Sequence, residues 1–224
     1  MSLRAGLALL ASIAMAAATT AMPAPPPELR AAFWTDLDGI PKEGEEYPLS
    51  DATAARRVLE EAAFVFSGML DGFDFEWTPA NKGRQVEEAF VLTAQGSVQW
   101  GDPRLLPGEA LRDTSRMSAW IEFRPDETDL RVFETSRASA WKTSQGDAGV
   151  DRMRGFPGRR EAYVAAVKAG VEALLRSTEP NRPRSVKGRA VFDAPPVLAI
   201  VDGQYRVQAR LRIEITELRR WTIF

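Results

Sequence analysis

The chain has neither cysteine nor histidine among its 224 residues. Without cysteine there is no disulfide framework, thiol nucleophile, thiolate metal site or lipid-anchoring thiol. Without histidine there is no Ser-His-Asp triad, no Cys-His pair and no His-ligated zinc. No metal and no cofactor is expected, and only carboxylate, lysine, tyrosine or arginine chemistry remains open. Surplus positive charge is missing as well. Lys and Arg number 29 against 31 Asp and Glu, so the chain carries no general electrostatic footprint for nucleic acid.

What is there begins with a leader. Residues 1–21 carry Arg4 near the start, an apolar run from Ala5 to Ala18 and small residues at the end. Ala16-Ala17-Ala18 and Thr19-Thr20-Ala21 both suit a signal peptidase, placing cleavage within residues 16–24. The run is too short and too rich in alanine for a comfortable membrane span, so no span is expected once the leader is removed. An exported product follows, and a cysteine-free exported chain fits a bacterial periplasm. Residues 22–49 read as a proline-rich spacer (Pro23, Pro25, Pro26, Pro27) followed by an acidic loop. Phe33 and Trp34 are the residues of this stretch that could tuck into the domain, which is drawn as residues 50–224.

The strongest fold signal lies near the C-terminus. Val197, Leu198, Ala199, Ile200 and Val201 run into Asp202-Gly203, and residues 204–217 then alternate. Asp-Gly between two such runs predicts a type I′ hairpin, because that turn needs positive φ at both central residues. The register then pairs Val201 with Gln204, Ile200 with Tyr205 and Leu198 with Val207. One face carries Tyr205, Val207, Ala209, Leu211 and Ile213; the other carries Arg206, Gln208, Arg210 and Arg212.

Two amphipathic helices are predicted. The first runs from an N-cap at Ser50 to Gly72, with Arg56–Glu60 and Arg57–Glu61 as exposed pairs one turn apart. The second spans residues 159–177, where Tyr163, Ala166, Val167, Gly170, Val171 and Leu174 follow helical spacing. Strands are expected at 73–77, 86–99, 115–124, 130–141 and 186–192, with loops at 100–108 and 143–158. The fold class is α+β: a two-layer sandwich of mostly antiparallel sheet and two main helices. The order of elements suggests an α-β-β pseudo-repeat.

Four groups of residues could carry function. Asp74 and Glu76 share one strand face opposite three aromatics, and paired carboxylates are what glycoside cleavage needs; Glu87 and Glu88 would join them if the strands pair. Arg152, Arg154, Arg159 and Arg160 crowd the start of the second helix, where they oppose the helix dipole unless an anion compensates. Arg206, Arg210 and Arg212 form a strand face for a charged partner. Trp120, on a polar strand face, suits a protein or glycan contact, with Trp34 and Trp100 as further stacking candidates. Ser139-Ala140-Trp141-Lys142 matches the S-x-x-K acylation motif but lacks its S-D-N and K-T-G companions. The terminal Phe224 fits an outer-membrane barrel, but Arg220 and Thr222 break the alternation, and two buried helices have no place in one.

The resulting expectation is a non-catalytic periplasmic binding or envelope-assembly protein, using the arginine strand face and Trp120 toward an envelope protein or glycan. The alternatives are a carboxylate-dependent enzyme acting on envelope glycans and a protein that captures an anion or small ligand.

Overall fold

The Asp-Gly turn forms in the predicted geometry. In the computed structural model, which describes residues 29–39, 46–96, 98–138 and 140–221, Asp202 and Gly203 both have positive φ, 50° and 74°. They join β8 (Val197–Val201) to β9 (Gln204–Arg219) in the expected register, Val201 opposite Gln204 and Leu198 opposite Val207. Alternate residues of β9 from Tyr205 to Ile213 are buried. The leader, the proline spacer, Ser139 and Phe224 lie outside the described residues.

The other elements are β1 (Leu29–Asp36), α1 (Asp51–Leu70), β2 (Phe73–Thr78), β3 (Ala89–Ala94), β4 (Leu105–Arg112), β5 (Arg116–Phe123), α2 (Glu127–Thr135), β6 (Lys142–Asp151), α3 (Phe156–Thr178) and β7 (Ser185–Phe192). The described residues form an α+β fold, with a large antiparallel sheet and three α-helices. Strand order in the six-stranded sheet is β3-β2-β7-β9-β6, with β8 also on β9; a smaller sheet has the order β1-β5-β4. No helix among the described residues is long and apolar enough to cross a membrane.

Four segments differ from the sequence reading. The stretch expected as a strand over 130–141 instead begins as helix, up to Thr135: Asp126 accepts from the amides of Thr128 and Asp129, and the Asp129 carboxylate accepts from the Asp126 amide. This reciprocal cap starts α2. The segment 143–158, expected as loop, contains β6, which pairs with β9 over ten residues. Leu29–Asp36, upstream of the boundary drawn at residue 50, is a strand with Leu29, Ala31, Phe33 and Thr35 buried. β4 occupies part of the expected 100–108 loop, and a break in register at Pro107 explains its weak strand pattern.

α1 lies between the two sheets. Ser50 caps it through Thr53 N at 3.2 Å. On one side Phe66 meets Phe33 of β1 edge-on, with centroids 5.7 Å apart, and stacks on Phe123 of β5 at 6.0 Å. On the other, Phe64 packs on Phe73 of β2 at 5.3 Å and on Phe192 of β7 at 6.3 Å.

α3 lies directly on β6 and β9. Ser144 Oγ donates to the Gly170 carbonyl at 2.7 Å, and a Cβ on Gly146 would strike the Ala166 carbonyl oxygen. The helix axis therefore sits where only hydrogen fits beneath it. Gly146→Ala is expected to lose about 1–3 kcal/mol by overpacking against backbone. Gly149→Ala, whose Cβ would meet only the mobile end of Gln204, should lose less. Urea denaturation of both variants checks the order.

Candidate functional site

Three segments converge around one pocket. The inward side of α1 supplies Glu61, Phe64 and Ser67; the first turns of α3 supply Phe156, Pro157, Arg159, Arg160 and Tyr163; and Ala94, Gly96, Val98, Gln99 and Trp100 close the third side. That third segment is pinned to α1. Ser67 Oγ donates to the Val98 carbonyl at 3.2 Å, and Gly96 passes so close that a Cβ there would strike Ser67. The open cleft has a volume of about 510 Å³, within the range of small-molecule sites. Phe64, Val98, Trp100, Phe156 and Pro157 make most of its wall apolar.

Beside these apolar side chains sits a buried charge network. Arg159 donates to Glu61 Oε2 from Nε at 2.9 Å and from Nη2 at 2.6 Å, while Tyr163 Oη donates to Glu61 Oε1 at 2.7 Å. Nη2 also reaches the Trp34 carbonyl at 2.6 Å, and the Arg159 guanidinium lies 4.1 Å from the Trp34 ring centroid. Burial, then the neighbouring Glu61 charge, raises the Tyr163 phenol well above its ordinary pKa. Tyr163 is thus a neutral donor throughout the physiological range.

Arg160 differs from its neighbours. Its guanidinium lies 3.3 Å from the Phe64 ring centroid, and no carboxylate among the described residues is in ion-pair reach of it. Much of the side chain remains open to solvent, yet desolvation of the head against Phe64 lowers its pKa to about 10. It stays a cation at neutral pH. At the rim, Trp100 is 52% exposed, with Arg56 5.1 Å from its centroid. The arrangement offers a cation without a counterion beside an apolar cleft, which suits an anion with an apolar body. No group of three or more acidic residues among the described residues is placed to hold a metal.

Of the residues singled out from sequence, only Arg159, Arg160 and Trp100 reach this pocket. Arg152 pairs with Asp36 at 3.4 Å, and Arg154 pairs with Glu161 through two contacts of 2.9 and 3.0 Å. The β9 arginines find local partners: Arg206 grips Asp147 at 2.7 and 2.9 Å, while Arg210 and Arg212 share the single carboxylate of Asp193 at 3.0 and 2.9 Å with Arg137 close by. Asp74 accepts from Gln95 at 2.7 Å, with Arg189 3.6 Å away, and Glu76 pairs with Lys187 across the strands. Glu88 is held by Lys168 and Trp77. Trp120 is 52% exposed beside Arg30, and Trp34 is clasped between Arg116 and Arg159. Lys142 of the S-x-x-K match opens β6.

Glu61 is the residue that sequence reasoning misplaced. Its one-turn spacing from Arg57 suggests an exposed pair, but both of its oxygens turn inward to Arg159 and Tyr163. The available signal was the run from Glu61 to Leu70, in which every residue is buried; an acid at the head of such a run faces the core.

An uncharacterized protein of Treponema pallidum (strain Nichols) is 23% identical to this chain over 193 residues, covering 86% of the chain and 80% of that relative. No solved structure matches. A protein-family model matches residues 18–221, a span that takes in the whole described fold, and the chain belongs to the family which that model defines.

Proposed function

We propose that this is an exported, non-catalytic binding protein that holds a small amphipathic anion in the pocket between α1 and α3. The observation that carries the reading is Arg160: a partly desolvated guanidinium on the pocket wall, laid on Phe64 and matched by no carboxylate among the described residues. A carboxylate, sulfonate or phosphate ester would supply the missing charge, and its hydrocarbon part would lie against Phe156, Val98 and Trp100. Export rests on the leader of residues 1–21. In this reading the fold holds two related halves, α1 leading into β2 and α3 into β7. These two strands are antiparallel neighbours, and the pocket sits where the two helices meet. Asp74 and Glu76 each face a cation of β7, so the geometry favours binding over glycan cleavage.

The test uses 1-anilinonaphthalene-8-sulfonate and decanoate as amphipathic anions. Both should bind saturably, decanoate displacing the dye. Arg160→Gln should weaken binding roughly tenfold to hundredfold, the worth of one hydrogen bond to a charged group, while Arg210→Gln leaves it unchanged. Equal affinities for wild type and Arg160→Gln would refute the assignment.

Exposed Trp120 and Leu111 on the outer face of the small sheet favour a second reading, in which an envelope protein docks there. In-cell crosslinking of the wild type and of Trp120→Ala checks it, with the variant expected to lose its crosslinked partner.

A further inference from the structure

Arg159 also borders a second, smaller cavity, and one of its donors is left without a partner among the described residues. The residue is 3% exposed. Nε and Nη2 are satisfied by Glu61 and Trp34, but buried Nη1 has no hydrogen-bond partner among the described residues. A buried donor on a charged group is costly when left unmatched. The cavity, about 20 Å³, is walled by Asp36, Arg152, Gly155, Phe156, Arg159 and Tyr205 among others. That is room for one or two water-sized particles, and too little for a tetrahedral oxyanion.

Gly155 and Phe156 are the N-cap and first residue of the 23-residue helix α3, and the cavity lies against them. This helix start is electrostatically unmatched. α3 has no side-chain cap and no acidic residue in its first turn; Arg152, Arg154 and Arg159 each pair with a carboxylate, but Arg160 adds its charge to the positive end of the dipole. Asp36 is the one acid among the described residues on the cavity wall, and Arg152 holds it at 3.4 Å. Tyr205, its phenol raised by burial and then by the Asp36 charge, stays protonated.

We propose that this cavity is a binding site for a single halide-sized anion, accepting from Arg159 Nη1 and lying at the positive end of α3. Such an ion satisfies the orphaned donor, offsets the uncapped helix start and ties β1, α3 and β9 together at one point. The site is separate from the amphiphile pocket and stands whether or not that reading holds.

Bromide replaces chloride in the test. Crystals grown in sodium bromide should show an anomalous peak within hydrogen-bond reach of Arg159 Nη1. In solution, replacing gluconate by chloride at constant ionic strength should raise Tm saturably by a few degrees, as expected for a ligand bound only by the folded state. Arg152→Gln and Tyr205→Phe, which alter the wall without breaking the Glu61 pair, should reduce the rise. A peak confined to surface arginines, an adventitious ion only, would overturn the assignment. So would a water with no anomalous signal, or a Tm indifferent to the halide. Dye binding at the larger pocket is read separately in the same samples, so failure of one site does not masquerade as failure of the other.

Discussion

Glu61→Ala is expected to destabilise the protein by about 3–5 kcal/mol, because it leaves a guanidinium buried without its counterion. The loss exceeds that of an exposed pair because neither partner can turn to water: Arg159 is 3% and Glu61 7% exposed. Tyr163 is stranded by the same change, since its hydroxyl donates to Glu61 in an equally dry place. By contrast Glu60→Ala, which removes an exposed one-turn pair with Arg56, should cost about 0.3–0.5 kcal/mol. The decisive comparison is the combined variant Glu61→Leu, Arg159→Met, Tyr163→Phe. Removing all three polar groups together removes the desolvation they impose, so stability should return most of the way, with the Trp34 carbonyl left as the residual cost. Urea denaturation of the three variants measures this. If Glu61→Ala costs less than about 1 kcal/mol, water reaches the pair and the network is not buried in solution.

The same network marks the limit of what could be read along the chain. Helical spacing and period-two alternation are local, so α1, α3 and the β8–β9 hairpin were legible with their faces and, for the hairpin, its register. Partnership between Glu61 and Arg159, 98 positions apart, has no local signature. β6 was missed for a related reason. Its inner face is Ser144, Gly146 and Ala148, small because α3 presses on it, and small residues with a polar outer face look like loop. α2 was misread because Leu130 and Val132 suggest a strand, whereas the cap at Asp126 decides the matter. The arginine cluster was legible as a charge conflict at a helix start. Which arginine has no carboxylate partner among the described residues was not, because Asp36 and Glu161 reach Arg152 and Arg154 only once the chain is folded.

Phe192 bears the other large expectation. It is fully buried at the end of β7, where its ring meets Phe73 at 5.3 Å, Phe64 at 6.3 Å and Tyr163 at 6.3 Å. One side chain thus joins α1 and α3 to the sheet. α1 crosses this cluster at Gly68, where a Cβ would come within 2.6 Å of both Phe192 and Phe73, so the helix cannot settle lower to fill a gap. Phe192→Ala should therefore leave most of its cavity open and cost about 3–5 kcal/mol, with Phe192→Leu much nearer wild type. A functional consequence follows from the same contacts. Phe64 and Tyr163 are pocket-lining residues that rest on Phe192, so the alanine variant should also bind 1-anilinonaphthalene-8-sulfonate more weakly under conditions where it remains folded. Binding that survives while stability falls would mean that the pocket is held by α1 and α3 alone and not by the sheet beneath them.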